Sequence, residues 1–278
     1  MSYKTILVHA DIDISAFGRI RLATRLARTF DAHLVGSAVT GISRFIPPHV
    51  IAEGGVALAE RCAAMRRDAA EALQRFSRIA AEDGVASWED RLVDDDVDGG
   101  MAVQARYADL VLVGQTDYSV FTPGRPDDLP EYLLLECGRP VLVVPYAACR
   151  LDLRGEALVA WDGSVEATRA ISGALPLLRA AQRVTVLTFD GERAWPNPAT
   201  DPGSLMADYL RRHGIHARMG RRPGTPHVAE ALLAEAEHVD AGLLVMGAYG
   251  HSHFRELLLG GVTARILRTM TLPVLLSH

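Results

Sequence analysis

The sequence is short of cysteine, of long apolar runs and of leader-like segments, and each shortage excludes a class of protein. Its three cysteines, Cys62, Cys137 and Cys149, show no C-x-x-C spacing, which predicts ordinary thiols in a reducing cytosol. No apolar run approaches the ~20 residues that span a bilayer. The segment Met1–His9 enters a short apolar strand without the apolar core of a signal peptide. We therefore expect a cytoplasmic protein with no membrane partner.

Excess positive charge and three common loop motifs are also missing. The net charge of −5 argues against a nucleic-acid partner held by a bulk positive field. The basic pairs Arg211-Arg212 and Arg221-Arg222 are interpreted as parts of a solvated face. G-x-x-x-x-G-K-[ST], G-x-G-x-x-G and G-x-S-x-G do not occur, so P-loop, dinucleotide-fingerprint and hydrolase-elbow sites have no support.

What the sequence does contain is an internal repeat. Ala108–Gly114 matches Ala241–Gly247 at an offset of 133 residues, whereas Ile6–Asp11 matches the segment that ends at Asp162 at an offset of 151. The difference leaves 18 extra residues in the first half. We place them around Gly41–Gly55, where proline and glycine break the periodicity. The repeat predicts two homologous domains, residues 1–147 and 153–278.

Each half alternates apolar strands with amphipathic helices. Strands are predicted at 5–10, 34–39, 88–93, 110–113 and 141–144, and again at 157–160, 184–189, 216–220, 243–246 and 274–276. Near-continuous apolar strands between helices predict an α/β class with two doubly wound parallel sheets. If the first and fourth strands of the second half are neighbours at the reversal of strand order, Asp162 and Gly247 meet at one crevice.

A glycine-spaced loop follows the fourth strand of the second half. Gly247, Gly250 and Gly260 space the loop, and Gly261 precedes a helical pattern that runs from Val262. Glycines let backbone N–H groups approach an anion closely, and the first turn of a helix presents unpaired amides. The loop therefore predicts a nucleotide bound through its phosphates.

These residues resemble the universal stress protein family, and the chain looks like a tandem, two-domain member. The family's loop has a glycine, two residues, a glycine, nine residues, a glycine, and then serine or threonine. Gly247, Gly250 and Gly260 have that spacing, whereas Gly261 stands where the hydroxyl residue is usual. The resemblance implies two Rossmann-like, adenine nucleotide alpha hydrolase-like domains. Each would be a five-stranded parallel sheet with helices on both faces.

The resemblance also implies nine ligand-binding residues in the second half for ATP or a similar adenine nucleotide, with Mg as an open question. They are Asp162, Phe189, Gly247, Gly250, His251, Gly260, Gly261, Val262 and Thr263. Asp162 would accept a hydrogen bond from the adenine or ribose, and the backbone near Phe189 would meet the adenine edge. The loop would hold the ribose and phosphates with amides and with the hydroxyl of Thr263.

The first half departs from this pattern. At the offset of 133, Asp117, Asp127 and Asp128 correspond to Gly250, Gly260 and Gly261, and Pro130 corresponds to Thr263. Carboxylates repel a phosphate by ~1 kcal/mol per pair even in a watery setting, and proline has no N–H to offer. We expect the loop of the first domain to be degenerate and unable to hold ATP in the family's manner.

Three functions remain in competition at this point. The first is a cytosolic stress-response sensor or regulator that binds an adenine nucleotide in its C-terminal domain. The second is a slow nucleotide hydrolase or phosphotransferase that uses His251 or His253 with magnesium. The third is an interaction module without a nucleotide, which the departure at Gly261 favours. No residue pair is an obvious catalytic acid and base, so an enzyme is the less favoured interpretation.

Two further features bear on partners and metals. The resemblance implies that strands 141–144 and 274–276 pair within one chain as a pseudo-dimer, and it leaves a further homodimer open. Asp94–Asp96 and Asp98 could chelate magnesium. They equally suit the positive end of the helix that follows, which needs no ion, and we prefer that interpretation.

Overall fold

A computed structural model describes residues 2–118, 128–147, 155–190, 201–249 and 261–278. The chain divides into two compact units, Ser2–Arg139 and Pro140–His278. Cys62 and Cys137 are buried and carry unpaired thiols, whereas Cys149 lies outside the described residues. None of the helices in the described ranges is long and apolar enough to cross a membrane.

The N-terminal unit alternates strands and helices. Its elements are β1 (Thr5–His9), α1 (Ala16–Phe30), β2 (His33–Val39), α2 (Pro48–Glu53), α3 (Val56–Glu82), β3 (Trp88–Val93), α4 (Val97–Ala105), β4 (Leu110–Gly114) and α5 (Leu129–Glu136). Its strands are parallel in the order β3-β2-β1-β4. The strands β1 and β4 are buried along nearly their whole length, as expected for a parallel sheet covered on both faces.

The C-terminal unit repeats this plan. Its elements are β5 (Val141–Val144), β6 (Glu156–Ala160), α6 (Val165–Ala180), β7 (Arg183–Phe189), α7 (Pro202–Arg212), β8 (Ala217–Arg222), α8 (Val228–His238), β9 (Ala241–Gly247), α9 (Val262–Thr269) and β10 (Val274–Ser277). The order is β5-β10-β9-β6-β7-β8, and all neighbours are parallel except β5 and β10. Strand order reverses between β6 and β9.

The predicted α/β class with tandem, doubly wound domains is confirmed. The sequence predicts β5 as the last strand of the first domain. In the structure it forms antiparallel hydrogen bonds with β10, with Leu142 opposite Leu275, and its contacts group it with the C-terminal unit. The intramolecular pairing of these two strands is therefore present as predicted. The N-terminal unit keeps four parallel strands, and the C-terminal unit has five plus β5.

The extra residues of the first half lie between β2 and β3, where the sequence placed them. They form α2 and lengthen α3 to 27 residues, whereas the corresponding helix of the C-terminal unit, α7, has 11. The first turns of α3 are exposed, so the added length extends beyond the packed core.

The acidic residues Asp94–Asp96 directly precede the N-terminus of α4. Asp96 is the N-cap, and its carboxylate accepts a hydrogen bond from the N–H of Gly99 at 2.9 Å. Asp94 pairs with Arg66 at 2.9 Å and Asp95 pairs with Arg44 at 3.3 Å. Within the described residues no three histidine, cysteine or acidic side chains are grouped so that they could hold a metal ion.

Asp98 is the member of this run whose charge is unfavourable. Burial, followed by the nearby carboxylates of Asp128 and Asp96, raises the pKa of Asp98 to about 6. Its Oδ1 atom is buried and has no hydrogen-bond partner among the described residues. The folded chain therefore takes up a proton near pH 6 that the unfolded chain, with an ordinary aspartate, takes up only in more acidic solution.

We predict that Asp98→Asn stabilises the protein at pH 7.5. A raised carboxyl pKa means that the folded state is penalised as the pH rises through about 6, because the folded state binds the proton more tightly than the unfolded state does. The advantage of the variant in melting temperature should shrink below pH 6 and vanish near pH 4. Thermal melts of both chains from pH 4 to pH 8 measure it, and a constant difference across that range would contradict the assignment.

Candidate functional site

A crevice opens at the carboxyl ends of β6 and β9 in the C-terminal unit. These strands are hydrogen-bonded neighbours, with Val159 opposite Val245, so the adjacency that the sequence could not prove is present. The crevice encloses about 100 Å³. Its lining comes from β6, β7, α8, β9 and the start of α9, and comprises Ala160, Trp161, Asp162, Ser164, Leu187, Phe189, Val228, Leu232, Met246, Gly247, Tyr249, Val262 and Thr263.

Five of the nine sequence-predicted residues line this crevice together. They are Asp162, Phe189, Gly247, Val262 and Thr263. Gly261 is the N-cap of α9, directly beside them. The other three, Gly250, His251 and Gly260, lie outside the described residues.

Asp162 is held by a tight turn at the end of β6. One carboxylate oxygen, Oδ1, accepts a hydrogen bond from the N–H of Ser164 at 2.9 Å. Ser164, and not Asp162, is the N-cap of α6, and its hydroxyl accepts the N–H of Ala167 at 3.0 Å. Ser164 therefore caps α6, and Asp162 closes the turn that precedes it. Asp162 is fixed on the crevice wall.

Gly247 is required by packing as well as by the loop. A Cβ atom at this position would lie 2.5 Å from the backbone nitrogen of Ala167 and 2.8 Å from the carbonyl carbon of Glu166. The end of β9 thus presses directly on the first turn of α6. Any side chain at Gly247 would push apart the two elements that carry opposite walls of the crevice.

Thr263 has a structural role in addition to the predicted contact with the ligand. Its side chain is buried, and its hydroxyl oxygen accepts a hydrogen bond from the N–H of Tyr249 at 3.2 Å. Tyr249 has a φ of 59°, a left-handed conformation that is uncommon outside glycine. The Thr263 hydroxyl therefore joins the two sides of the loop. Gly261 offers no side-chain acceptor to the first turn of α9, so no cap from that position competes with an anion for the amides there.

The sequence missed the apolar wall. Val228 and Leu232 line the crevice from α8, four residues apart and hence on one helix face. That spacing, in the helix before β9, is the signal that could have revealed them. Trp161 also lines the crevice, and its buried indole Nε1 has no hydrogen-bond partner among the described residues.

In the N-terminal unit, a side chain of the unit itself occupies the position that corresponds to the crevice. Asp11 corresponds to Asp162 and forms the same turn, accepting the N–H of Asp13 at 3.1 Å. Arg19 of α1 is buried and donates to Asp11 at 2.9 Å and to the carbonyl of His9 at 2.9 Å. Its Nη1 atom lies 2.3 Å from where a Cβ on Gly114 would be. The guanidinium thus occupies the ends of β1 and β4.

The loop that closes this unit also differs from its counterpart. Asp128 is the N-cap of α5, as Gly261 is of α9, and proline occupies the first turn. The offset of 133 residues therefore places the helix starts correctly. Asp127 lies outside the described residues. The N-terminal unit therefore has a carboxylate at the helix start and a guanidinium at the strand ends. The C-terminal unit has a glycine at the helix start and a crevice at the strand ends.

Comparisons with known proteins show which family and which fold this chain resembles. Residues 155–278 match the universal stress protein family. The universal stress protein Slr1230 of Synechocystis sp. is 27% identical over 169 residues, which cover 60% of this chain and 57% of that protein. A universal stress protein structure from Archaeoglobus fulgidus DSM 4304 covers 98% of this chain and 94% of its own, with a TM-score of 0.74 and 18% identity.

The C-terminal unit is thus similar to the universal stress protein family over residues 155–278, and the whole chain shares the fold of the Archaeoglobus fulgidus protein. A solved universal stress protein in complex with cAMP also matches, covering 53% of this chain with a TM-score of 0.37 and 19% identity. That similarity is too low to transfer a ligand to this chain.

We predict that Gly247→Ala lowers stability by about 1–3 kcal/mol, because the new methyl group overlaps the first turn of α6. The matched control is Gly18→Ala in α1, where a Cβ meets nothing within 4 Å and a helix gains up to about 1 kcal/mol from the same change. Urea unfolding compares the two variants. Equal effects would show that the close approach at Gly247 is not a constraint.

We also predict that Arg19→Ala destabilises the N-terminal unit by about 3 kcal/mol, because it leaves the partly buried Asp11 carboxylate without its cation. Millimolar guanidinium, well below denaturing concentrations, should refill the space and raise the melting temperature of this variant. The wild-type chain should not respond. A melting temperature of the variant that is indifferent to guanidinium would contradict a crevice filled by Arg19.

Proposed function

We propose that this protein is a stress-response sensor or regulator that binds one adenine nucleotide, ATP or a similar molecule, in its C-terminal unit. The observation that carries the proposal is the convergence of Asp162, Gly247, Val262 and Thr263 on the crevice between β6 and β9. The match of residues 155–278 to the universal stress protein family supports it. The cytoplasm remains the proposed location.

The chemistry of the crevice fits an adenine nucleotide. Leu187, Val228 and Leu232 supply an apolar wall for a flat base. Asp162 supplies a fixed acceptor for an amino or hydroxyl group, and the indole N–H of Trp161 is a buried donor that an acceptor on the ligand would satisfy. The amides at the start of α9 would meet the phosphates.

The N-terminal unit is proposed not to take part in nucleotide binding. Arg19 fills the space beside Asp11, and Asp128 places a carboxylate at the helix start where phosphates would lie. One nucleotide per chain is therefore the expected stoichiometry. The second role of Asp162, in the turn to Ser164, means that a test of its contact with the nucleotide needs a variant that preserves the turn.

Calorimetric titration with ATP, ADP and AMP tests the proposal. We predict a stoichiometry of one, and an affinity that falls about tenfold or more in Asp162→Ala, because a hydrogen bond to a charged group contributes about 1.5–3 kcal/mol. Asp162→Asn keeps an acceptor for the Ser164 amide and should lose less. Asp190→Ala, at the end of the neighbouring β7 but outside the crevice lining, is the control and should bind normally.

Other outcomes separate the competing functions. No heat at millimolar nucleotide would remove the sensor hypothesis and leave an interaction module. Release of phosphate from Mg-ATP far above background, abolished by His251→Ala, would instead establish a hydrolase. A stoichiometry of two would show that the N-terminal unit also binds nucleotide and that Arg19 does not exclude it.

A further inference from the structure

A second depression lies at the amino ends of β7 and β8, on the edge of the C-terminal sheet opposite the crevice. It is open to solvent, with a volume of about 440 Å³. The charged groups that line it are Arg183, Arg211 and Arg218, with His216 beside them, and no acidic residue of the described chain is in the lining. A strand of seven residues such as β7 spans roughly 20 Å, so the two openings are well separated.

Two of the three arginines are held in place by hydrogen bonds. Arg218 donates from Nε to the hydroxyl of Thr185 at 2.8 Å and from Nη2 to Glu156 at 2.8 Å. Arg211 donates from Nε to the carbonyl of Ala217 at 3.0 Å. A guanidinium carries five N–H donors, so these bonds fix each side chain and leave further donors. Anchoring in advance reduces the entropy lost when an anion binds.

Positive charge is in excess at this edge. Glu156 is shared by two guanidinium groups, at 2.8 Å from Arg218 and 3.6 Å from Arg183. Arg211 pairs with Asp208. Three arginines thus face two carboxylates, neither of which lines the depression. This local surplus of positive charge contrasts with the net charge of the whole chain, which is −5.

The other arginines of β8 behave differently. Arg222 forms a two-pronged pair with Glu235, at 2.6 and 3.0 Å, and Arg221 pairs with Asp190. At that end of the strand each arginine has its own carboxylate. Charged side chains on an edge strand such as β8 can serve only to prevent aggregation. That role does not require two anchored guanidinium groups around a depression that has no acidic residue in its lining.

From this contrast we infer that the depression formed by Arg183, Arg211, Arg218 and His216 is a second anion site, which binds a small phosphate-bearing ligand. Guanidinium groups match phosphate oxygens with paired, charge-assisted hydrogen bonds. The site is distinct from the proposed nucleotide crevice, because it uses side-chain charge at the amino ends of the strands in place of backbone amides at their carboxyl ends.

Pyrophosphate is the probe for the test. We predict saturable binding in calorimetry that weakens as salt is added, and a loss of about tenfold or more in affinity for Arg211→Gln with Arg218→Gln. Arg222→Gln is the matched control on the same strand and should bind as the wild type does. Arg211→Gln alone, which leaves Glu156 with both of its partners, covers the case in which the double variant fails to fold.

The remaining outcomes distinguish other sources of binding. Gly261→Asp, which gives α9 the N-cap carboxylate that Asp128 gives α5, should leave pyrophosphate binding intact, and a loss there with no effect of the arginine changes would place the anion in the crevice and overturn the inference. Equal losses in Arg222→Gln and Arg211→Gln would mean diffuse surface charge and would also overturn it. Vesicles with anionic phospholipid provide the last arm: flotation with them, without binding of pyrophosphate, would point to a membrane surface and refute a small-molecule site.

Discussion

The crevice of the C-terminal unit depends on the contact between the end of β9 and the first turn of α6. With no side chain at Gly247, the strand backbone comes so close that a Cβ would lie 2.5 Å from the Ala167 nitrogen. That approach fixes α6, whose N-cap Ser164 holds the turn in which Asp162 sits. The carboxylate is therefore positioned by backbone packing at the reversal of strand order.

The N-terminal unit has the same order of strands and helices around this position, but a different residue in the first of its helices. At the offset of 151, Arg19 corresponds to Ala170, which is fully buried in α6. An alanine there leaves the ends of β6 and β9 uncovered, whereas Arg19 extends across the ends of β1 and β4 and bonds to Asp11. A buried guanidinium needs such a partner, because an unpaired charge in that position would be strongly destabilising. Both units thus have an aspartate at this strand end, and in the N-terminal unit this aspartate pairs with Arg19.

The elements could be predicted because buried parallel strands are continuous apolar runs, and glycine and proline mark their ends. The repeat also matched Asp162 with Asp11 and Gly247 with Gly114, each at the end of a strand. Two features could not be predicted. Arg19 on an amphipathic helix has the sequence signature of a surface residue, and the bond between Thr263 and Tyr249 depends on loop geometry. Each is decided by tertiary contacts, which local patterns do not encode.

The two ends of the C-terminal strands offer two ways of holding negative charge. At the carboxyl ends, the N–H groups at the start of α9 carry partial charges that come from the helix itself and cannot be neutralised by a side chain on Gly261. At the amino ends, full charges on Arg211 and Arg218 are set in place by Ala217, Thr185 and Glu156. Backbone dipoles favour an anion that approaches them closely, whereas the attraction of an anion to exposed guanidinium groups is screened by salt. The two proposed anion sites of this unit would therefore differ in chemistry, with backbone dipoles at one end of the strands and side-chain charge at the other.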